Sequence, residues 1–172
     1  RKIEDKDATA YVLNGMGDVA LDRGDLVLAR KRYEEALTLR TQAGEKQTAA
    51  ESRVSLAKLA IEEGHASDAE ASVRECKEQF RKEQQADDEL SASVVLIEAL
   101  LSQGKQDEAQ KEIGAAQALE DGVSLAGCLT TIGDVPAALS HYEKMRLPRT
   151  SRIQAMSAAN KTRFHLADGP AQ

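Results

Sequence analysis

The chain has 172 residues, 41% of them apolar and 30% charged, a balance that fits one foldable domain or one short repeat array. No apolar run reaches about 18 residues, which excludes a membrane-spanning helix, and there is no Trp and little Phe or Tyr, so a core must be built from Ala, Leu, Val and Ile. The net charge of −6 is unevenly spread: residues 1–121 hold 17 Lys+Arg against 26 Asp+Glu, which makes this main body a poor partner for a phosphate backbone, and residues 122–172 hold 6 against 3.

The chain opens on Arg1-Lys2 without a Met and is expected to be a piece of a longer polypeptide. Between Ala10 and Leu21 the apolar residues Val12, Leu13, Met16, Val19 and Ala20 recur at helical spacing, predicting a helix over about 8–22. Arg23-Gly24-Asp25 breaks that pattern. Gly24 suits the left-handed position after a helix, and Asp25 can cap the next one. Leu26, Ala29, Tyr33, Ala36 and Leu37 carry the stripe on, predicting a second helix over 25–43. The same arrangement returns around Gly64, with helices at 46–63 and 66–83, and around Gly104, with helices at 86–103 and 106–120. In the last of these, Asp107 favours the helix start. Gly44 and Gln84-Gln85-Ala86-Asp87 mark the joins.

The three turn glycines lie forty residues apart, and their surroundings keep step. Counting from each glycine, Ala29, Ala69 and Ala109 stand at +5. Tyr33, Val73 and Ile113 stand at +9, and Ala36, Cys76 and Ala116 at +12. Leu21, Ile61 and Leu101 stand at −3, and Met16, Leu56 and Leu96 at −8. Small residues at +5 and +12 let two antiparallel helices approach, while the larger residue between them fills the gap to the next helix.

This pattern resembles the tetratricopeptide repeat over about residues 8–120. The first copy shows it best, in Leu13, Met16-Gly17, Ala20, Gly24-Asp25, Ala29, Tyr33 and Ala36. The forty-residue period exceeds the family's usual length and resembles the longer repeats of large bacterial regulators. The expected fold is all-α: a short right-handed α-solenoid of antiparallel helix pairs, with repeats at about 8–44, 45–84 and 85–121. A helical extension is expected over 122–172.

Past residue 121 the period stops, but Leu125-Ala126, Leu129, Gly133-Asp134, Ala138 and Tyr142 keep the internal spacings of a repeat. They predict a shortened fourth pair with Pro136 in a first turn and Pro148 ending it. A basic stretch, Arg146, Arg149, Arg152, Lys161 and Arg163, would then lead into a solvated or partly disordered tail over 149–172. A second resemblance overlaps this region. Gly114-Ala115-Ala116-Gln117-Ala118-Leu119-Glu120-Asp121-Gly122, with Pro148-Arg149-Thr150, Arg152, Gln154, Asn160 and Phe164-His165-Leu166, is similar to the C-terminal segment of FAD-dependent aromatic hydroxylases of the salicylate hydroxylase type. That family holds FAD on a Gly-x-Gly-x-x-Gly turn, which this chain lacks. The segment is therefore expected to be a remnant joined to the array, with no cofactor of its own.

Chemistry-bearing residues give little. His65, His141 and His165 form no ligand-spaced pair with one another or with a Cys, so no metal site is indicated. Cys76 and Cys128 read as small buried hydrophobes, and neighbouring acids such as Glu62-Glu63 as solvated helix faces. The repeat resemblance implies instead a concave groove lined by the first helix of each unit. Its lining positions here are Tyr11, Asn14 and Asp18; Glu51, Val54, Ser55 and Lys58; and Ser91, Val94, Val95 and Glu98. The Lys/Asn/Arg clamp for a terminal carboxylate is absent. The expected role is a non-catalytic protein-interaction module of a larger cytoplasmic bacterial regulator, taking a protein or peptide partner with an apolar anchor and one acid for Lys58. No nucleic acid, membrane or metal partner is expected. A groove that is only the inner wall of a scaffold, and a non-catalytic hydroxylase-derived fusion, are the alternatives.

Overall fold

The computed structural model of the chain describes residues 2–164, with side chains over 6–148 and at Ser151. Seven helices are present and no strand among the described residues: α1 (Lys2–Asp22), α2 (Leu26–Ala43), α3 (Lys46–Glu62), α4 (Ala66–Lys82), α5 (Ala86–Ser102), α6 (Gln106–Ile132) and α7 (Val135–Phe164). The fold is all-α and is that of a helical solenoid built from antiparallel pairs. The chain forms two compact units, Arg1–Glu120 and Asp121–Gln172. No helix among the described residues is long and apolar enough to cross a membrane.

One turn geometry repeats through the first unit. Gly24 donates its N–H to the Leu21 carbonyl, and Asp25 donates to Ala20, each at 2.9 Å. The pairs Gly64→Ile61 and His65→Ala60, then Gly104→Leu101 and Lys105→Leu100, reproduce it. Each glycine has φ between 73° and 85°, where a side chain would be strained. The joins between repeats use the same lock. Gly44 (φ 77°) bonds Thr41 while Glu45 bonds Arg40. Forty residues on, Gln84 takes the glycine's place at φ 58°, bonding Arg81, while Gln85 bonds Phe80. Asp25 caps α2 by accepting the Leu28 N–H at 3.0 Å.

Packing follows the register. Ala29, Ala69 and Ala109 at +5 and Ala36, Cys76 and Ala116 at +12 are all buried. Tyr33 lies so close over Gly17 that a Cβ added there would stand 2.4 Å from its ring. The matching pair forty residues later is Ala57 with Val73, both in the core, so a larger first-helix residue accompanies a smaller +9 residue. One apolar cluster joins α3 to α6 through Val73, Phe80, Leu96 and Leu100, and another joins Tyr33 and Ala29 to Leu59 of the next repeat. Each large side chain fully buried in this way contributes about 1.5–3 kcal/mol. Part of the expected α1 stripe is corrected: Val12, Met16 and Val19 are exposed, because no helix among the described residues covers that face of α1.

The tail departs from expectation in two places. No helix ends near residue 121, and α6 runs unbroken to Ile132. Gly122 and Gly127 each cost a helix about 1 kcal/mol relative to Ala, but neither is followed by a capping residue. Gly133 is: it adopts φ 72°, and Asp134 accepts the Ala137 N–H at 3.0 Å to start α7. Pro148 also fails to end the helix, which continues to Phe164. Its missing N–H removes one bond to the carbonyl four residues back, and Pro148 is exposed, so water can serve that carbonyl. Within the second unit, Arg146 pairs with Asp121, and Cys128 and Ala138 are buried. His165 and residues 166–172 lie outside the described residues, as do the side chains of Arg149, Arg152, Lys161 and Arg163.

Candidate functional site

The forty-residue register places the groove positions in rows across α1, α3 and α5. Tyr11, Glu51 and Ser91 form one row, Asn14, Val54 and Val94 a second, and Asp18, Lys58 and Glu98 a third. On α1 the spacing 11, 14, 18 puts all three residues on one helix face. The third row alternates acid, base and acid, and all three members are exposed. Tyr11 is 74% exposed and Val94 is 48% exposed, so this face offers one aromatic and one aliphatic contact beside the charges.

Two of the remaining positions do different work. Asn14 donates from Nδ2 to Ser55 Oγ and accepts from Ser52 Oγ, both at 3.1 Å. Ser52 in turn accepts from Arg40 Nη1 at 2.8 Å, and Ser55 donates to the Glu51 carbonyl at 3.3 Å. The hydrogen bonds thus run in one direction, Arg40 to Ser52 to Asn14 to Ser55 to Glu51, and tie α2, α1 and α3 together across a repeat joint. Arg40 is buried, and it also donates to the Thr48 carbonyl at 2.8 Å and stands 3.5 Å from the Glu51 carboxylate. Burial pushes the Glu51 carboxyl above its ordinary value, with Arg40 pulling against it. Asn14 and Ser55 therefore hold the wall of the face. Val54 and Val95 pack into the core beneath it.

Asp18 is held from behind. Tyr33 donates its hydroxyl to Asp18 Oδ1 at 2.8 Å, and burial together with that carboxylate keeps the phenol protonated. Sequence reasoning passed over Arg40. The signal was present: Arg40 occupies the +16 position, which in the next repeat belongs to Phe80, and an Arg in a Phe's place marks a polar joint.

A second electrostatic cluster sits on the next joint. Glu70 accepts from Lys105 Nζ at 2.7 Å and Gln103 Nε2 at 2.9 Å, and pairs with Arg74 at 2.8 Å. These donors, Lys105 first, hold its carboxyl down to about 2. Lys77 and Glu112 form a further pair between α4 and α6, both largely buried. These groups join helices and present no cleft.

Nothing else among the described residues resembles a reactive centre. No group of three or more His, Cys, Asp and Glu there is placed to hold a metal. Burial pushes the Cys76 thiol up, away from reactivity at neutral pH. The turn at Gly133 brings Cys128 and His141 to one shallow depression of about 280 Å³, a neighbourhood the sequence did not disclose. Gly15-Met16-Gly17 lies inside α1, with no strand before it to form a dinucleotide cradle.

Comparison with known proteins gives two separate likenesses. Residues 8–82 match the family model of the tetratricopeptide repeat. The chain is also 45% identical over 58 residues to 3-amino-4-hydroxybenzoate 2-monooxygenase of Streptomyces cremeus, a stretch that covers 33% of this chain and 15% of that protein. The 3-amino-4-hydroxybenzoate 2-monooxygenase PtmB3 of Streptomyces platensis is 43% identical over 60 residues, covering 34% and 15%. The FAD-dependent monooxygenase atnJ of Arthrinium sp is 40% identical over 62 residues, again covering 34% and 15%. The chain thus spans 15% of the length of these curated relatives. No solved structure matches it.

Proposed function

We propose that the helical array is a non-catalytic protein-interaction module of a larger bacterial, cytoplasmic regulatory protein. It takes a partner peptide or helix on the face of α1, α3 and α5. The observation that carries this is the exposed row Asp18, Lys58 and Glu98 beside exposed Tyr11 and Val94, on a wall that the Asn14–Ser55 hydrogen bond makes rigid. A partner suited to it has an apolar side chain for Val94 and Tyr11, an acid for Lys58 and a base for Asp18 or Glu98. In this proposal the repeats lie within about 8–44, 45–84 and 85–121, and neither nucleic acid, membrane nor metal takes part.

The test is capture from bacterial lysate on two baits, the chain as it stands and a Lys58→Glu, Val94→Asp variant. Both substituted side chains are exposed, so the variant keeps the fold, whereas a change at Asn14 would break the hydrogen-bonded joint. A partner held by the first bait and lost from the second is expected. Equal recovery on both would contradict this face as the working surface.

The alternative is that the chain carries a non-catalytic piece of an FAD-dependent aromatic hydroxylase, supported by the 45% identity over 58 residues. Such a piece lacks the α/β body that holds a dinucleotide. Mixing the chain with FAD is expected to leave the flavin's visible absorbance and fluorescence unchanged. A shifted, retained flavin band would favour an enzyme-derived role instead.

A further inference from the structure

In the second unit, the turn at Gly133 folds α7 back along α6, and the Arg146–Asp121 pair holds the two helices side by side and antiparallel. Ser124, Cys128 and Thr131 share one face of α6, and His141 and Met145, four apart, share one face of α7. Both faces line the depression of about 280 Å³ beside the turn. Ala138, three residues before His141, is fully buried, and its small side chain lets the helices approach closely there. Cys128 is a free thiol and is buried, so it lies at the floor. His141 and Met145 are exposed, so the mouth is open to a small ion.

Helix geometry turns these donors toward one another. A helical side chain leans toward the N-terminus of its own helix. On antiparallel helices Cys128 therefore leans along α6 toward the level of Met145, and Met145 leans along α7 toward the level of His141. One depression thus collects a thiol, an imidazole and a thioether. That set is selective. A zinc site takes four donors from Cys, His and carboxylates, whereas this trio holds two of those and a thioether. Thiolate and thioether sulfur select Cu(I), and imidazole also suits copper.

The geometry points to a Cu(I) site formed by Cys128, His141 and Met145. On binding, the Cys128 S–H bond breaks, its proton passes to the solvent, and a Cu–S bond forms. The imidazole and the thioether each give a lone pair and lose no proton. Copper stays Cu(I), so no electron is transferred. Thiolate and Cu(I) together carry no net charge, which suits a floor bordered by Ile132. The site uses no residue of the groove, and neither proposal depends on the other.

The test titrates the full reduced chain, without oxygen, against Cu(I) held by coloured chelators of graded strength, from ferrozine to bathocuproine disulfonate. The chain is expected to draw one Cu(I) from the weaker chelator. Cys76→Ala, which installs the residue that the other repeats carry at that position, leaves the uptake unchanged, and Cys128→Ala abolishes it. Met145→Leu and His141→Gln alter exposed side chains, so the fold is kept, and each weakens binding at least about tenfold. Circular dichroism checks the fold of every variant. X-ray absorption of the loaded chain is expected to show copper with two sulfur neighbours and one nitrogen. Four results would each overturn the proposal: no copper taken even from ferrozine, uptake lost with Cys76→Ala, uptake indifferent to both Met145→Leu and His141→Gln, which is a lone thiol binding metal, or sedimentation showing a dimer bridged by copper.

Discussion

At the scale of single residues, the turns set the clearest expectations. Gln84 adopts the left-handed conformation that Gly44 adopts forty residues earlier, and a side chain there is strained by about 1–2 kcal/mol. Part of that relief is offset by the greater freedom of glycine in the unfolded chain. Gln84→Gly is therefore expected to stabilise the protein by up to about 1 kcal/mol, and urea denaturation checks the sign. A fall in stability would mean that the Gln84 side chain has a role of its own. Glu70 makes a pH prediction. Its folded-state pKa is lowered from the ordinary 4.5 to about 2, so its contribution is full above 4.5 and is lost as pH falls toward 2. Relative to Glu70→Gln, the chain should melt higher at neutral pH, with the difference closing between pH 4.5 and 2. A constant difference would contradict the ion cluster. Gly24, Asp25 and the buried alanines were legible in the sequence because backbone conformation and size restrict them locally. Arg40, Ser52 and Glu70 were not, because partners of each lie far along the chain, on another helix for Arg40 and Ser52 and in the turn after α5 for Glu70, and meet them only when the repeats pack.

At the scale of elements, the helices of the repeats could be placed to within a few residues at most boundaries, since an apolar stripe, a left-handed glycine and a following cap coincide at each turn. The exception at the start is α1, which begins at Lys2 rather than near residue 8. The larger misses came where only one of those signals was present. Gly122 has no cap after it and does not interrupt α6, while Gly133 has Asp134 and does. Pro148 argued for a helix end, yet an exposed proline costs one hydrogen bond and leaves α7 intact around it. The seam between paired helices gives the test at this scale. Ala69 is buried in the core that joins α3 to α6, so Ala69→Trp should overpack it and cost about 1–3 kcal/mol or more. An unchanged melting temperature would mean that the +5 position does not face the seam.

At the scale of the molecule, a repeat array has no single centre, and its stability comes from faces that cover one another. Register then assigns roles. The same register position is a buried contact at the two joints within the chain and exposed on α1, as Leu59, Ala99 and Val19 show. The proposed working face follows the same logic, because Asp18, Lys58 and Glu98 differ in charge while sharing a position, and a partner lying across α1, α3 and α5 would meet them in turn. The measurement that tests this most directly is photo-crosslinking in lysate from two sites. One carries a benzophenone amino acid at Lys58, on the proposed face, and the other carries it at Glu78, exposed on α4. A discrete crosslinked partner from position 58 and none from position 78 is the predicted result. The same partner from both positions, or a partner from 78 alone, would contradict the account.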